Sequence, residues 1–499
     1  MRCLRFLFYI FFWMIMIPLS LSAQRLTLSP QNLDDFGMNY LKVIGQGDTG
    51  IFVLHSNLSL ESQNDRIGLR TRKYRLSYFD FSLRPLWWKN LVPHPESASI
   101  ESVSFFNGKG IVISSDWNKS ENALNIFMDI YDTKGSLEIS GKQIASLSVG
   151  RSANLSKPKV ILSSSKMIAG IYIEEFHDDV ETIHLIQCDT SFKNSIQSKA
   201  SVSYPAKNIE FNDVVLSDNG ELAVLAKLRE KDPTNEKKKI INFKLFLLSK
   251  GENQFKDYKV NDGTHPMSEA SLAVDRVNGK IVVTGFYADK SSFTGAGILF
   301  SYLDIANPIA LTQHTIAING DARLKLMGDR NSGNSVSLFN YPIQRIVLRK
   351  DGGAVIIAEA AYLSEYSYYD YFTQSFNRRV EYHYDNVVVI SVTPQGEVAW
   401  SQVLRKDQAS LDDEGIYASF NSFLNADQLI LFYNGDIGRS NEVVGFSIDN
   451  QGQSETKKLS KMGDNISLLP RAGKQVDEET IIVPVINRKK MFLAKIVVQ

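Results

Sequence analysis

Short runs rich in Val, Ile, Phe and Tyr recur from one end of this chain to the other, and each is closed by one of two kinds of turn. In the first kind an Asp follows the run and a Gly stands three residues later, as in Asp132 with Gly135 and Asp449 with Gly452; Thr393 with Gly396 is a variant. Asp80, Asp189 and Asp304 hold the same place without the Gly. An Asp side chain bonds the backbone two residues on and Gly accepts positive φ, so these residues specify a tight reversal. The second kind comprises Asn107-Gly108, Asp218-Asn219-Gly220, Asn278-Gly279, Asp351-Gly352-Gly353 and Asn425-Ala426-Asp427. Such pairs suit two-residue hairpins, whose central residues both need positive φ. No long stretch keeps a helical period, so the chain reads as all-β.

The two turns alternate, which gives a unit of strand, tight turn, strand, longer connection, strand, Asp turn, strand. Seven residues after Asp80, Asp132, Asp189, Asp304 and Thr393 stand Trp87, Ile139, Ile196, Leu311 and Trp400. The same count from Ser249 and Asp449 reaches Lys256 and Thr456, yet five apolar hits in seven exceed the three or so that a chain 43% apolar gives by chance. Four antiparallel strands repeated along a chain form the blade of a β-propeller. Units begin near Tyr40, Ile100, Lys159, Asn212, Ala270, Gln344, Ser419 and Ile466, and the last stops after three strands. Arg25 to Ser29 precedes the first unit and has no partner of its own, so it is expected to pair with Met491 to Val498 and close the ring. The expectation is eight four-stranded blades, with seven if the unit near Ile466 is misplaced and an array of β-sandwiches as a third arrangement.

Gly396 to Trp400 resembles the second half of the quinoprotein-type propeller repeat, in which an Asp turn with Gly leads to Trp. Thr393 replaces the Asp and only one other unit has the Trp, so the resemblance is to a blade type and implies no quinone site. The segment from Leu348 to Glu359 and on through a Tyr-rich stretch to Trp400 is similar to uncharacterised secreted propeller-like proteins of Gram-negative bacteria. It covers about 50 residues and implies no activity.

Arg2 and Arg5, an apolar run from Phe6 to Leu19 and the small residues up to Ala23 match a secretory signal peptide. Cleavage after Ser22 is an alternative, since Leu21 fits the −3 position poorly, and an uncleaved anchor is another. Residues 24–499 are then one propeller domain, exported to the periplasm, cell surface or outside, with no later membrane span. Losing Arg2 and Arg5 leaves a net charge of about −2, which gives no electrostatic footprint for nucleic acid. Only Cys188 remains, in a strand-like run where a thiol serves as a small core hydrophobe.

In a blade the first-to-second and third-to-fourth turns share one face of the ring, and the other connections share the opposite face. The tight turns all fall on the first. The second receives the long connections, including insertions at 319–341 and 361–385, and is where irregular loops on a rigid scaffold are expected to bind. Residues 362–384 hold seven tyrosines and two phenylalanines, offering apolar rings with hydroxyl handles. Tyr362, Tyr366, Tyr368, Tyr369, Tyr371, Arg378, Arg379, Tyr382 and His383 are the candidate partner-binding residues, the partner being a protein or a glycan. The alternative is a long hairpin whose rings only pair across strands.

Glu174 to Glu181, Asp412 to Glu414 and Arg229 to Lys239 read as solvated hairpin tips, the first two lacking the spacing of a calcium loop. Gly45, Gly47 and Gly50 satisfy G-x-G-x-x-G, but strand-like runs flank them on both sides, so a hairpin turn is expected rather than a nucleotide site. His55, His94, His184, His265 and His314 are scattered singly and read as incidental. No motif calls for a metal or cofactor and no catalytic residue is assigned. The reading is an exported, non-catalytic binding propeller, with a secreted polysaccharide- or cell-wall-acting enzyme, its acids gathered over the central channel, as the alternative.

Overall fold

The computed structural model describes residues 25–33, 38, 40–60, 66–67, 70–148, 154–177, 180–232, 235–261, 266–288, 295–318, 338, 341–372, 374–437, 442–460 and 465–498. These form eight antiparallel sheets built on a path of four strands, plus a two-stranded ribbon of Arg66–Ile67 with Arg70–Thr71, and the predicted all-β propeller has eight blades. Blade 1 runs Tyr40–Gly47, Gly50–Ser56, Tyr74–Asp80 and Pro85–Asn90. Blades 2 to 7 open with Ser99–Phe106, Asn154–Leu155 followed by Lys159–Leu162 on the same edge, Ile209–Leu216, Met267–Asp275, Ile343–Leu348 and Phe420–Leu424. Gly45 to Gly50 is a hairpin turn, as expected.

Blade 8 takes Ile466–Leu468, Thr480–Asn487 and Lys490–Val497 from the end of the chain and Arg25–Leu28 from its beginning. Arg25 pairs with Val497 and Leu28 with Ala494. The ladder continues where the Ser29 amide donates to the Leu493 carbonyl at 2.7 Å and the Leu493 amide to Ser29 Oγ at 3.2 Å. Closure of the ring by the first strand is therefore as predicted.

The burial pattern explains why middle strands read as continuous apolar runs while outer strands do not. Gly50–Ser56 is buried at every position, whereas Pro85–Asn90 is half-buried only at Trp87 and otherwise exposed. A middle strand has a neighbouring blade against each face, so both sets of alternating side chains are covered. Buried apolar residues accordingly fall into eight clusters, each spanning one seam between successive blades. Ile51 and Val53 face blade 8 while Phe52 and Leu54 face blade 2. Cys188 is 3% exposed in the seam between blades 2 and 3, where burial pushes its thiol up to about 11.

The turns behave as their residues dictate. Asp132 Oδ1 accepts the amides of Lys134 and Ser136, and Asp449 Oδ1 those of Gln451 and Gln453. Gly135 and Gly452 both sit at positive φ (79° and 82°), and a Cβ on either would collide with the preceding blade's Trp87 or Trp400. Each indole donates to a carbonyl of the next blade's Asp turn, Trp87 to Thr133 at 2.8 Å and Trp400 to Asn450 at 3.3 Å. The two tryptophans thus hold equivalent places as the repeat register predicts, but both are half-buried rather than core.

Three connections expected to be loops are continuations of the middle strands. Ile168–His177 pairs with Val180–Asp189, Leu222–Asp232 with Asn235–Leu248, and Ala354–Asp370 with Ser375–Val392. Polar and aromatic side chains along these stretches conceal the period-2 pattern of a strand that has left the core. Apart from Leu338 and Tyr341, the expected insertion at 319–341 lies outside the described residues, as do residues 1–24, where the leader is expected.

Two outcomes are expected from this architecture. Deleting residues 25–29 should lower stability by several kcal/mol, because it bares a sheet edge and uncovers the last blade; an unchanged thermal transition would refute closure as a stabilising element. Trp87→Ala and Trp400→Ala should each cost about 2 kcal/mol, below the ~3–5 kcal/mol of a core tryptophan since part of each ring already meets water. Denaturant unfolding of the two variants measures this.

Candidate functional site

The largest departure from the blade plan is the hairpin of blade 6. Its strands are 17 and 18 residues long, and after a register shift between Glu359 and Ala361 they stay paired from Ala361 with Tyr384 to Asp370 with Ser375. Ten paired positions extend about 30 Å at the usual strand rise.

Its root is fixed by buried polar groups. Lys406 Nζ lies 2.7 Å from Glu359 Oε1 and donates to the Tyr384 carbonyl at 2.7 Å and to Gln408 Oε1 at 2.9 Å. Glu359 Oε2 accepts from Ser419 Oγ at 2.5 Å, so the other carboxylate oxygen ties blade 6 to blade 7. Burial is the largest influence on both charges, pushing the Glu359 carboxyl up and the Lys406 ammonium down, and each opposes the shift of the other. Losing either partner strands the other charge in the interior. Above this root Gln408–Leu411 pairs with Glu381–Tyr384, and Asp412 exchanges bonds with Val380, its amide to the carbonyl and its Oδ1 from the amide, each at 2.9 Å. Asp412 is exposed, as a solvated tip would be, but it and Asp413 also form a brace; Asp413 Oδ1 accepts the Gly415 amide at 2.8 Å.

Period-2 alternation sends the predicted binding residues to two faces. One carries Tyr362, Tyr366, Tyr368, Arg379 and His383. Tyr362 stacks on His383 with centroids 4.5 Å apart, and the Arg379 guanidinium lies 5.5 Å from the Tyr368 ring centre. The Tyr362 hydroxyl bonds the Asp385 carboxylate, whose pKa is raised by burial first and by Asp407 second. The opposite face carries Tyr369, Arg378 and Tyr382, with Arg378 paired to Glu365. The rings do pair across strands, as the structural alternative anticipated, but most of them remain exposed. Tyr382 and His383 are half-buried near the root. At the tip Tyr369 meets Tyr371 and Phe376 edge-on at 5.1 and 5.2 Å. Phe372, Tyr371 and Phe376 are 101%, 84% and 78% exposed. Leu363, Phe372 and Phe376 were missed as individual candidates, although an apolar residue beside a hairpin turn is legible once the strand limits are known.

A second polar group lies in blade 3. Three acids of the segment read as a solvated tip, Glu174, Glu175 and Glu181, are buried instead: Glu175 is bonded to His184 Nε2 at 2.7 Å, with Lys199 Nζ at 3.4 Å. His184 is thus a partnered residue rather than an incidental one. Burial raises the Glu175 carboxyl, and the His184 bond and Lys199 charge more than reverse this, leaving it below its usual range. Glu181 points the other way, into the seam between blades 3 and 4 beside Ile183 and Val202, where it is 1% exposed and neither carboxylate oxygen has a hydrogen-bond partner. Burial and then the nearby Glu174 push its pKa up to about 8. Among the described residues no group of three His, Cys, Asp or Glu is placed to hold a metal, and no helix is long and apolar enough to cross a membrane.

No protein family and no curated protein matches the sequence. Among solved structures, the β-propeller domain of the Trilobed protease from Pyrococcus furiosus is similar at 10% identity, covering 86% of this chain and 97% of that one with a TM-score of 0.32. The α-L-arabinanase of Penicillium chrysogenum is 13% identical over 68% of this chain and 94% of its own, TM-score 0.31. The polysaccharide lyase Uly1 is 8% identical over 92% and 99%, TM-score 0.33. Likeness at this level transfers neither substrate nor site.

The buried carboxyl makes a testable pH signature. Its folded pKa stands above the ordinary 4.5, so the fold keeps a proton that the unfolded chain releases. The stability linked to that proton is complete below about pH 4.5 and is lost as the pH rises through about 8. Glu181→Gln, which cannot ionise, should flatten the decline and exceed the wild type by a few kcal/mol near pH 9. Melting curves from pH 5 to 9 that run parallel for both proteins would refute a protonated Glu181.

Proposed function

We propose that the chain is an exported, non-catalytic propeller that holds a protein partner through the blade 6 hairpin. The observation that carries this reading is a braced projection whose root is an internal ion pair and whose tip displays Tyr371, Phe372 and Phe376 almost fully to water. An exposed apolar tip of this kind marks an interaction site. Tyr and Arg, which line the hairpin at Tyr366, Tyr368, Arg378 and Arg379, are the side chains that most often dominate binding energy at protein interfaces. The shape favours a macromolecule, since small ligands are held in concavities and this surface is convex. A protein groove accepts such a wedge. The root also limits the entropy lost on association, because the hairpin is ordered before the partner arrives.

The enzymatic alternative needs two carboxylates open to a cleft. Glu181, beside Glu174, has the raised pKa of a proton donor, yet its burial in an apolar seam keeps substrate away from it.

Replacing 362–384 by a short Asn-Gly turn should leave the eight blades folded and abolish capture of the partner recovered by pull-down from the native cell envelope. The milder triple change Tyr371→Ser, Phe372→Ser and Phe376→Ser leaves the brace its strand partner and should weaken binding at least a hundredfold. Unchanged affinity in both variants, or saturable binding on a glycan array lost with the hairpin and no protein partner, would overturn the protein reading.

A further inference from the structure

On the tight-turn face, between blades 6 and 7, lies a cavity of about 230 Å³ walled by Val347, Val355, Trp400, Leu424, Leu429 and Ile448, with Ser391 and Arg349 also lining it. The repeat supplies its own control, because the seam between blades 1 and 2 holds the equivalent positions. Trp87 corresponds to Trp400, and the ladders then align Phe52 with Val355, Tyr78 with Ser391, Phe105 with Leu424 and Tyr131 with Ile448. In the other direction Gly45 aligns with Val347 and Gly110 with Leu429.

In blade 1 the space is full of rings. Tyr78 stacks on Trp87 at 5.9 Å and 16°, and Phe52 packs against Tyr78 at 4.7 Å and Phe105 at 5.7 Å. The Tyr78 hydroxyl accepts from the Thr49 amide at 3.3 Å, with Thr49 Oγ1 3.1 Å away. Between blades 6 and 7 four rings are gone and two aliphatic side chains have been gained, while the tryptophan that backed the tyrosine remains. Where the tyrosine stood there is a buried Ser391 hydroxyl, which accepts from Arg349 Nη1 at 2.8 Å. The guanidinium is already neutralised by Asp351, whose Oδ2 lies 2.6 Å from Nη2.

We propose that this cavity is a binding site for a small uncharged aromatic molecule bearing one hydrogen-bonding group, of the phenol class. The ring would lie against Trp400 where Tyr78 lies against Trp87, with its polar atom accepting from the partly exposed Arg349 guanidinium that Ser391 holds in place. An apolar cavity with a few convergent polar groups is the usual form of such a site. Arg349 does not select an anion, because its charge is already paired.

Titrating the full chain with phenol, followed by calorimetry and ligand-detected NMR, should show one saturable site at about millimolar affinity or tighter, as expected for so few atoms. Cyclohexanol and benzoate serve as comparisons and should bind at least fivefold more weakly than phenol. Ser391→Tyr restores the blade 1 ring and should weaken phenol binding at least tenfold with a melting temperature equal to or above the wild type. If that variant does not fold, Leu424→Phe, a smaller filling, decides by the same criterion. Absence of saturable binding, benzoate binding more tightly than phenol, or unchanged affinity in the folded filled variants would each overturn the proposal. The site is at the opposite face of the ring from the hairpin, so its failure leaves the partner-binding reading untouched.

Discussion

Every blade of this protein has two apolar faces and no way to bury either by itself. The eight seams, one for each pair of neighbours, are the only cores the described residues contain. Stability is therefore a property of adjacency, as in other repeat architectures, with the difference that a ring leaves no end blade to be capped. The pairing of Arg25–Leu28 with Lys490–Val497 makes the last of these adjacencies permanent. The tryptophan contacts follow the same logic, since each fastens one blade's outer strand to the turn of the next.

Much of the ring was legible because it is built from local rules that repeat. Asp132 and Asp449 cap their own turns, Gly135 and Gly452 need positive φ, and the three-stranded final unit lacks a strand that Arg25 to Ser29 supplies. What was illegible depends on contacts between blades. Glu181 carries the same letter as a solvated acid, and only the approach of blade 4 makes it an interior group. His184 looked solitary because its partner Glu175 lies across a strand ladder rather than beside it in sequence.

The blade 6 hairpin shows a third case. Its cross-strand rings were foreseen as one of two readings, but the extent of pairing was hidden because Tyr, Ser, Glu and Arg on both faces erase the apolar alternation that marks a strand. Its rigidity was hidden for a different reason: Glu359 and Lys406 are 47 residues apart in sequence and meet only inside the fold. The two readings of the tyrosines are also less opposed than they look. Stacking of Tyr362 on His383 and of Arg379 on Tyr368 orders the ladder, and the same order presents the tip.

The seam of blade 8 joins residues more than 460 positions apart, Ser29 with Leu493 among them. Among the described strands Arg25–Leu28 is made before all the others and Lys490–Val497 after them, so the earlier partner of this ladder waits longest for the other. Closing a loop of that length brings an entropic cost before any reward, so this ladder forms late relative to the local hairpins. Until the final strand exists, the first blade keeps a bare apolar face and the opening strand keeps unpaired amides. A nascent ring of this kind is a sticky intermediate for as long as it is incomplete, and its dependence on a holding chaperone should grow with the time needed to deliver the strands from Ile466 to Val497.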